Sequence, residues 1–154
     1  MFTTEYKQEL DRITNKYEQK RAALLPLLHS VQDKEGLITP ETEANIAEYL
    51  DVPVVHVHEV VSFYHLFHQQ KMGKYHFSIC QTTACALHGA EGVIEHIKER
   101  LNIKPGETTT DGKFSLSVVE CLGACEIAPV MQGNKDYIGC LNIKKVDEII
   151  DKNS

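Results

Sequence analysis

The sequence predicts a helical N-terminal segment leading into a small α/β domain, and three observations predict it. Up to about residue 70 the apolar side chains recur at helical spacing. From Lys74 onward short alternating runs take over, separated by glycine, proline and asparagine turns. The later elements follow the order β-α-β-β-α, which suits one sheet with helices packed on it. The change of character falls at Lys71-Met72-Gly73, so a helical bundle over 1–72 and an α/β domain over 73–154 are expected.

Leu10, Ile13 and Tyr17 stand at i, i+3 and i+7 and predict a short amphipathic helix over Glu5 to Tyr17. Ala23, Leu24, Leu27, Leu28 and Val31 form the stripe of a second helix. Pro26 lies inside that run; lacking an N–H, it is tolerated in or near a first turn, or at a kink. Gly36 is the natural stop. Thr39-Pro40-Glu41 reads as a helix start: an N-cap hydroxyl, a proline at the first helical position, a carboxylate at the positive end of the dipole. Ala44, Ala47 and Leu50 are expected inward. Asp51-Val52-Pro53 restarts the chain as a further helix with Val54, Val57, Val61 and Tyr64 on its apolar face and Val60 beside them. Residues 1–70 thus read as three or four short helices.

In the second half Tyr75, Phe77 and Ile79 alternate with Lys74, His76 and Ser78, the pattern of a half-buried strand ending at Cys80. Residues 85–101 read as one helix with Ala86, Ala90, Val93, Ile94, Ile97 and Leu101 inward, broken by Lys104-Pro105-Gly106. Asp111-Gly112 is a turn. Phe114, Leu116 and Val118 alternate as a strand that delivers the chain to Cys121. Residues 129–141 read as a hairpin around Gly133-Asn134, and Asn142 can cap a last helix through Val146, Ile149 and Ile150.

Composition narrows the function. A length of 154 residues with 42% hydrophobic and 25% charged side chains is enough for one packed domain and a small appendage. A formal net charge of −6 argues against nucleic-acid binding, which calls for a basic patch. No run approaches the ~18 apolar residues of a membrane span. Residues 1–20 have no apolar signal core and carry Glu5, Glu9, Asp11 and Glu18, unlike a transit peptide. A cytoplasmic chain is expected, where paired cysteines serve metals or redox chemistry more often than structural disulfides. The cysteine count of five is odd, so full disulfide pairing would leave one over.

The cysteines fall as Cys80-Gln-Thr-Thr-Ala-Cys85 and Cys121-Leu-Gly-Ala-Cys125. Each pair lies just after an expected strand, so two strand-to-loop exits at one edge of a sheet can meet. Four thiolates make the protein ligand set of a [2Fe–2S] cluster, two per iron. Small residues beside them, Gly123 and Ala124 in one loop and Thr82, Thr83 and Ala84 in the other, let backbone N–H groups approach sulfur. A helix beginning near Cys85 would aim its positive end at the site. Spacing alone also admits structural zinc, although its commonest pairs are C-x-x-C, and inert buried thiols. The cluster is the favoured reading.

Other candidates read more plainly. Cys140 stands outside the pattern and is expected as a small buried side chain on a strand. His56, His58, His65 and His68 crowd one region, the last two at i, i+3. A polar helix face beside Phe63, Tyr64 and Phe67 accounts for them better than a metal site. His88 is expected to lie on the surface or in packing. The aromatic run 63–67 is expected mainly in the core, with part of it available to a partner.

The C-x4-C pair, the run Cys121-Leu-Gly-Ala-Cys125-Glu-Ile-Ala-Pro129 and the segment Val61-Ser-Phe-Tyr64-His65 together resemble the small [2Fe–2S] subunit of NADH:quinone oxidoreductase. The likeness extends roughly from Arg21 to Val146. It implies a thioredoxin-like [2Fe–2S] ferredoxin domain behind an N-terminal helical bundle, with Cys80, Cys85, Cys121 and Cys125 as ligands of one cluster. It further implies a larger flavoprotein partner that binds FMN and NAD(H), and further iron–sulfur subunits beyond it. The same subunit type occurs in NAD-linked hydrogenases, including bifurcating ones, and in formate dehydrogenases. The chain is then expected to be a stand-alone electron-transfer subunit of an NADH-oxidising oxidoreductase. It would meet the cytoplasmic face of a membrane through its complex and would not act on NADH by itself. The sequence agrees with that division of labour: no G-x-G-x-x-G follows a strand, so no dinucleotide fingerprint is present. The non-redox alternative is a zinc-stabilised adaptor.

Overall fold

The computed structural model describes residues 4–154, with side chains from Tyr6 onward. The side chain of Glu5, at the start of the first expected helix, lies outside the described residues. The chain forms two compact units, Met1–Lys71 and Met72–Ser154.

The first unit holds helices α1 (Thr4–Thr14), α2 (Leu24–Glu35), α3 (Pro40–Leu50) and α4 (Val54–Phe63). The first helix ends earlier than its periodicity suggests: Leu10 is buried, but Tyr17 lies past the last turn and is exposed. Pro26 is the third residue of α2, where an N–H would have no intrahelical acceptor, so the first turn accommodates it. Gly36 closes α2 in the left-handed region (φ 81°), its N–H on the Gln32 carbonyl at 2.8 Å. Thr39 caps α3 as expected, its hydroxyl accepting from the Thr42 N–H at 3.1 Å.

Two expectations fail in α3 and α4. Ala44 faces solvent; the buried stripe is Glu43, Ile46, Ala47 and Leu50, at i, i+3, i+4 and i+7. Burying the Glu43 carboxylate needs a partner, and His58 Nδ1 supplies it, 3.0 and 3.2 Å from its two oxygens. In α4 only Val57 and Val61 are buried, whereas Val54 and Tyr64 are exposed. The bundle core is Leu10, Leu27, Leu28, Val31, Ile38, Ile46, Val57 and Val61, each contributing on the order of 2 kcal/mol by leaving water.

Past α4 the chain is held by Gln32, whose side chain donates to the Leu66 carbonyl (2.8 Å) and accepts from the His68 N–H (2.6 Å). His65 and His68 follow the end of α4, so their i, i+3 spacing is not displayed on a helix. Burial, with His65 nearby, holds the His68 imidazole below its usual pKa.

The second unit is a four-stranded sheet in the order β2-β1-β3-β4: β1 (Tyr75–Cys80), β2 (Phe114–Val119), β3 (Met131–Gly133) and β4 (Asp136–Ile138). β1 and β2 run parallel, with Tyr75 opposite Phe114 and Cys80 opposite Val119. β3 pairs antiparallel with both β1 and β4. α5 (Thr83–Leu87) and α6 (Ala90–Leu101) cross from β1 to β2, and α7 (Ile143–Asn153) follows the hairpin. Phe77, Ile79, Leu116 and Met131 pack with Val93, Ile97, Val146 and Ile150 in one core.

β1 is not half-buried. As an interior strand it has both faces covered, and His76 and Ser78 are 8% and 7% exposed. The His76 ring satisfies its polarity on the Ser117 hydroxyl, 2.7 Å from Nε2. The single helix expected over 85–101 is two: Gly89, at φ 87°, breaks it, and Ala86 is exposed. Asn142 caps α7 as expected, accepting from the Lys145 N–H at 2.9 Å. Among the described residues no helix is long and apolar enough to cross a membrane.

Asn142→Ala removes that cap and should lower stability by about 1 kcal/mol. The urea midpoint should fall with the slope unchanged; an unmoved midpoint would show that the cap contributes nothing.

Candidate metal centre

Parallel pairing sets the site. The C-terminal ends of parallel strands lie at the same sheet edge, and Cys80 is the last residue of β1, opposite the last residue of β2. The ladder runs one step further, Gln81 N–H to the Val119 carbonyl at 3.1 Å, before the loops part. On the other side the Cys80 N–H bonds to the Val130 carbonyl at 3.1 Å. The loops carrying the two cysteine pairs therefore start side by side.

Cys80 and Cys85 are 2% and 1% exposed, in a small apolar cluster with Ala90, Val119, Leu122 and Val130. Cys121 and Cys125 are exposed. None of the five cysteines is in a disulfide. The Cys80 thiol donates to the Glu120 carbonyl at 3.2 Å, a direct bond to the residue before Cys121. The Thr82 hydroxyl lies 3.2 Å from Cys80 Sγ, and the Gly123 N–H donates to Cys121 Sγ at 3.4 Å. Gly123 takes φ 70°, a left-handed turn that suits glycine.

The two buried thiols shift in opposite directions. Burial pushes Cys80 up, but the Thr82 hydroxyl, the Leu122 and Thr82 N–H groups and the Cys85 thiol outweigh it, and its pKa falls below the ordinary thiol value. Burial raises Cys85, against the Val130 N–H, and its neighbours Cys80 and Cys125 raise it further. Of these two thiols, Cys80 is the more readily deprotonated.

This donor set fits an iron–sulfur cluster. Thiolates are soft ligands, and backbone N–H groups from Thr82, Leu122, Gly123 and Val130 already point at sulfur. Such bonds orient and stabilise ligating sulfur. Among the described residues no three Cys, His, Asp or Glu side chains close around a single point.

One expectation about the site is replaced. The helix after the first pair begins at Thr83 and runs only to Leu87, so Cys85 lies inside it and a five-residue helix has little macrodipole to aim. Backbone and hydroxyl hydrogen bonds take that role. Cys140 is exposed, at φ 50° in the turn after β4, and is not a buried strand residue. Its N–H is held by the Ile127 carbonyl at 2.6 Å, and the left-handed turn leaves the thiol in solvent. His88 is exposed, its Nδ1 2.8 Å from the Ala84 carbonyl, in keeping with a surface role.

Sequence reasoning missed Gly139. A Cβ there would come within 2.4 Å of Ile127 Cβ, so its hydrogen lets the turn after β4 close over the segment Cys125–Ile127. The Gly-Cys dipeptide before the last cap was the available signal.

The family model described as thioredoxin-like [2Fe-2S] ferredoxin matches residues 10–154. The chain belongs to that family. Its sheet and crossover are accordingly a thioredoxin-like fold, which follows the helical bundle in the sequence. Among similar chains, a subunit of the NADH-quinone oxidoreductase of Rhizobium meliloti (strain 1021) is 39% identical over 145 residues, covering 94% of this chain and 86% of the relative. The corresponding NADH-quinone oxidoreductase subunit of Rickettsia felis is 44% identical over 137 residues, 88% and 81% of the two chains. NADH-quinone oxidoreductase subunit 2 of Thermus thermophilus is 42% identical over 134 residues, 86% and 74%. An NAD+-reducing [NiFe]-hydrogenase in its air-oxidised state superposes on 84% of this chain and 22% of its own, with TM-score 0.71. At 22% identity that likeness shows the shared fold.

Gly139→Ala should force the Cys125–Ile127 segment aside and lower stability by about 1–3 kcal/mol. The denaturation midpoint measures it; a variant as stable as the parent would show that the turn tolerates a Cβ.

Proposed function

We propose that Cys80, Cys85, Cys121 and Cys125 ligate one [2Fe–2S] cluster, and that the chain is the electron-transfer subunit of an NADH dehydrogenase module of the NADH-quinone oxidoreductase type. The observation that carries this reading is the meeting of the two cysteine loops at one sheet edge, with Cys80 bonded directly to Glu120. Family membership and relatives at 39–44% identity support it. The hydrogenase likeness supports the fold, so the quinone-oxidoreductase assembly is favoured over a hydrogenase or a formate dehydrogenase.

Bound there, the cluster supplies one-electron transfer. The chain's own residues hold sulfur, exclude water and set the local charge. Cys80 and Cys85 provide a dry inner side, and Cys121 and Cys125 a solvent-facing outer side. Residues 114–134 contain Glu120 and Glu126 and no Lys or Arg. Added negative charge is therefore disfavoured, and a low potential follows from that field and from all-thiolate ligation.

A one-electron carrier does not accept a hydride, and the sequence carries no dinucleotide fingerprint. NADH oxidation then belongs to a larger flavoprotein subunit that binds FMN and NAD(H) and passes single electrons to this site. Further iron–sulfur subunits would continue the path. The site of action is the cytoplasm, at the membrane's cytoplasmic face where the complex places it.

Anaerobically purified protein should be brown, with visible absorption that bleaches on dithionite. Colourless protein holding one zinc ion would establish the adaptor reading in its place. Cys121→Ser should lower iron content or shift the reduced-state EPR spectrum, while Cys140→Ser should leave both unchanged. Equal damage from the two would overturn the ligand set.

A further inference from the structure

Thr39, Thr82 and Asn142 each stand at the N-cap of a helix, but Thr82 does not cap. The Thr39 and Asn142 side chains accept from a backbone N–H of the first turn of α3 and α7. Thr82 has the extended backbone of an N-cap before α5 (φ −75°, ψ 170°), yet its side chain makes no capping hydrogen bond. A threonine in that position ordinarily bonds to the N–H two or three residues on. Here the hydroxyl lies 3.2 Å from Cys80 Sγ instead.

Among the described residues no other side-chain hydroxyl bonds to any of the four sulfurs. The other hydrogen bonds to sulfur that survive deprotonation come from backbone N–H groups. Proton counting fixes the direction of the Thr82 contact. As a free thiol, Cys80 donates to the Glu120 carbonyl. As a ligand it has no proton. Its sulfur is then an acceptor, and the Thr82 hydroxyl is the donor. Cys80 is 2% exposed, so solvent does not readily replace that donor, as it does at the exposed Cys121 and Cys125.

We infer that Thr82 sets the reduction potential of the site by donating a hydrogen bond to Cys80 Sγ. It is a positioning residue that acts through that ligand, and the inference rests on the ligand set proposed above. A donor at a thiolate favours the form of the site that carries more negative charge. That is the reduced form, so the hydroxyl raises the potential. It works against the lowering by all-thiolate ligation. Removing it moves the potential down.

The test is the reduction potential of the cluster-loaded full chain, read by EPR-monitored redox titration. Thr82→Val keeps the branched shape and removes the donor, whereas Thr82→Ser keeps the donor. At a fixed potential Thr82→Val should lower the reduced-to-oxidised ratio about fivefold, a downward shift of about 40 mV at about 59 mV per tenfold for one electron. Thr82→Ser should stay at the parent potential, as should Thr83→Val at the exposed neighbouring position. A potential in Thr82→Val equal to or above the parent's would overturn the inference and leave the proposed function standing. A purely capping role would give that result together with a lower thermal midpoint. Failure of both Thr82→Val and Thr82→Ala to take up a cluster would make the hydroxyl a requirement for holding the ligand, and would overturn the inference as well. A parent chain that takes up no [2Fe–2S] cluster would overturn both readings.

Discussion

The parallel pairing of β1 with β2 is the constraint on which the rest depends. Parallel strands cannot be joined by a tight turn and need a crossover, and α5 and α6 provide it. The pairing brings two carboxyl-terminal strand ends to one edge, where open α/β sheets place their ligand sites. Cys80 ends one strand and Cys121 lies just past the end of the other. Residues far apart in sequence, Cys80 and Glu120, therefore come into hydrogen-bond contact. A register shift of one residue would turn Cys80 to the opposite face.

The two thiol pairs differ in surroundings although their chemistry is the same. The inner pair is dry, and its two thiols shift in opposite directions, Cys80 down and Cys85 up. The outer pair faces solvent on a loop shaped by Gly123 and closed over by the turn at Gly139. A carrier that must pass electrons to and from other proteins needs both sides: an inner wall that fixes the ligands and an outer one that a partner can approach.

The helical unit solves a different problem. Its core closes around leucine, isoleucine and valine, but the α3–α4 contact includes a buried carboxylate bonded to His58. Such a pair fixes which faces meet more than it stabilises the fold. With α4 held in that rotation, Val57 and Val61 turn inward while Val55 and Phe63 turn out.

Sequence alone determined the helical half, the α/β half, the caps at Thr39 and Asn142, the stop at Gly36 and the four-thiol pattern. Each of these is a local matter of periodicity, capping geometry or ligand chemistry, readable within a few residues. It misplaced Ala44, Ala86 and Cys140, took β1 as half-buried and joined α5 to α6. Helical spacing does not set the rotation of a helix about its axis, which packing decides, and alternation cannot tell an edge strand from an interior one. Tertiary structure alone decided that the cysteine loops are neighbours, that Cys80 and Cys85 are dry while Cys121 and Cys125 are not, and that Phe63 faces water. Those properties arise from contacts between residues far apart in the chain, which no local pattern encodes.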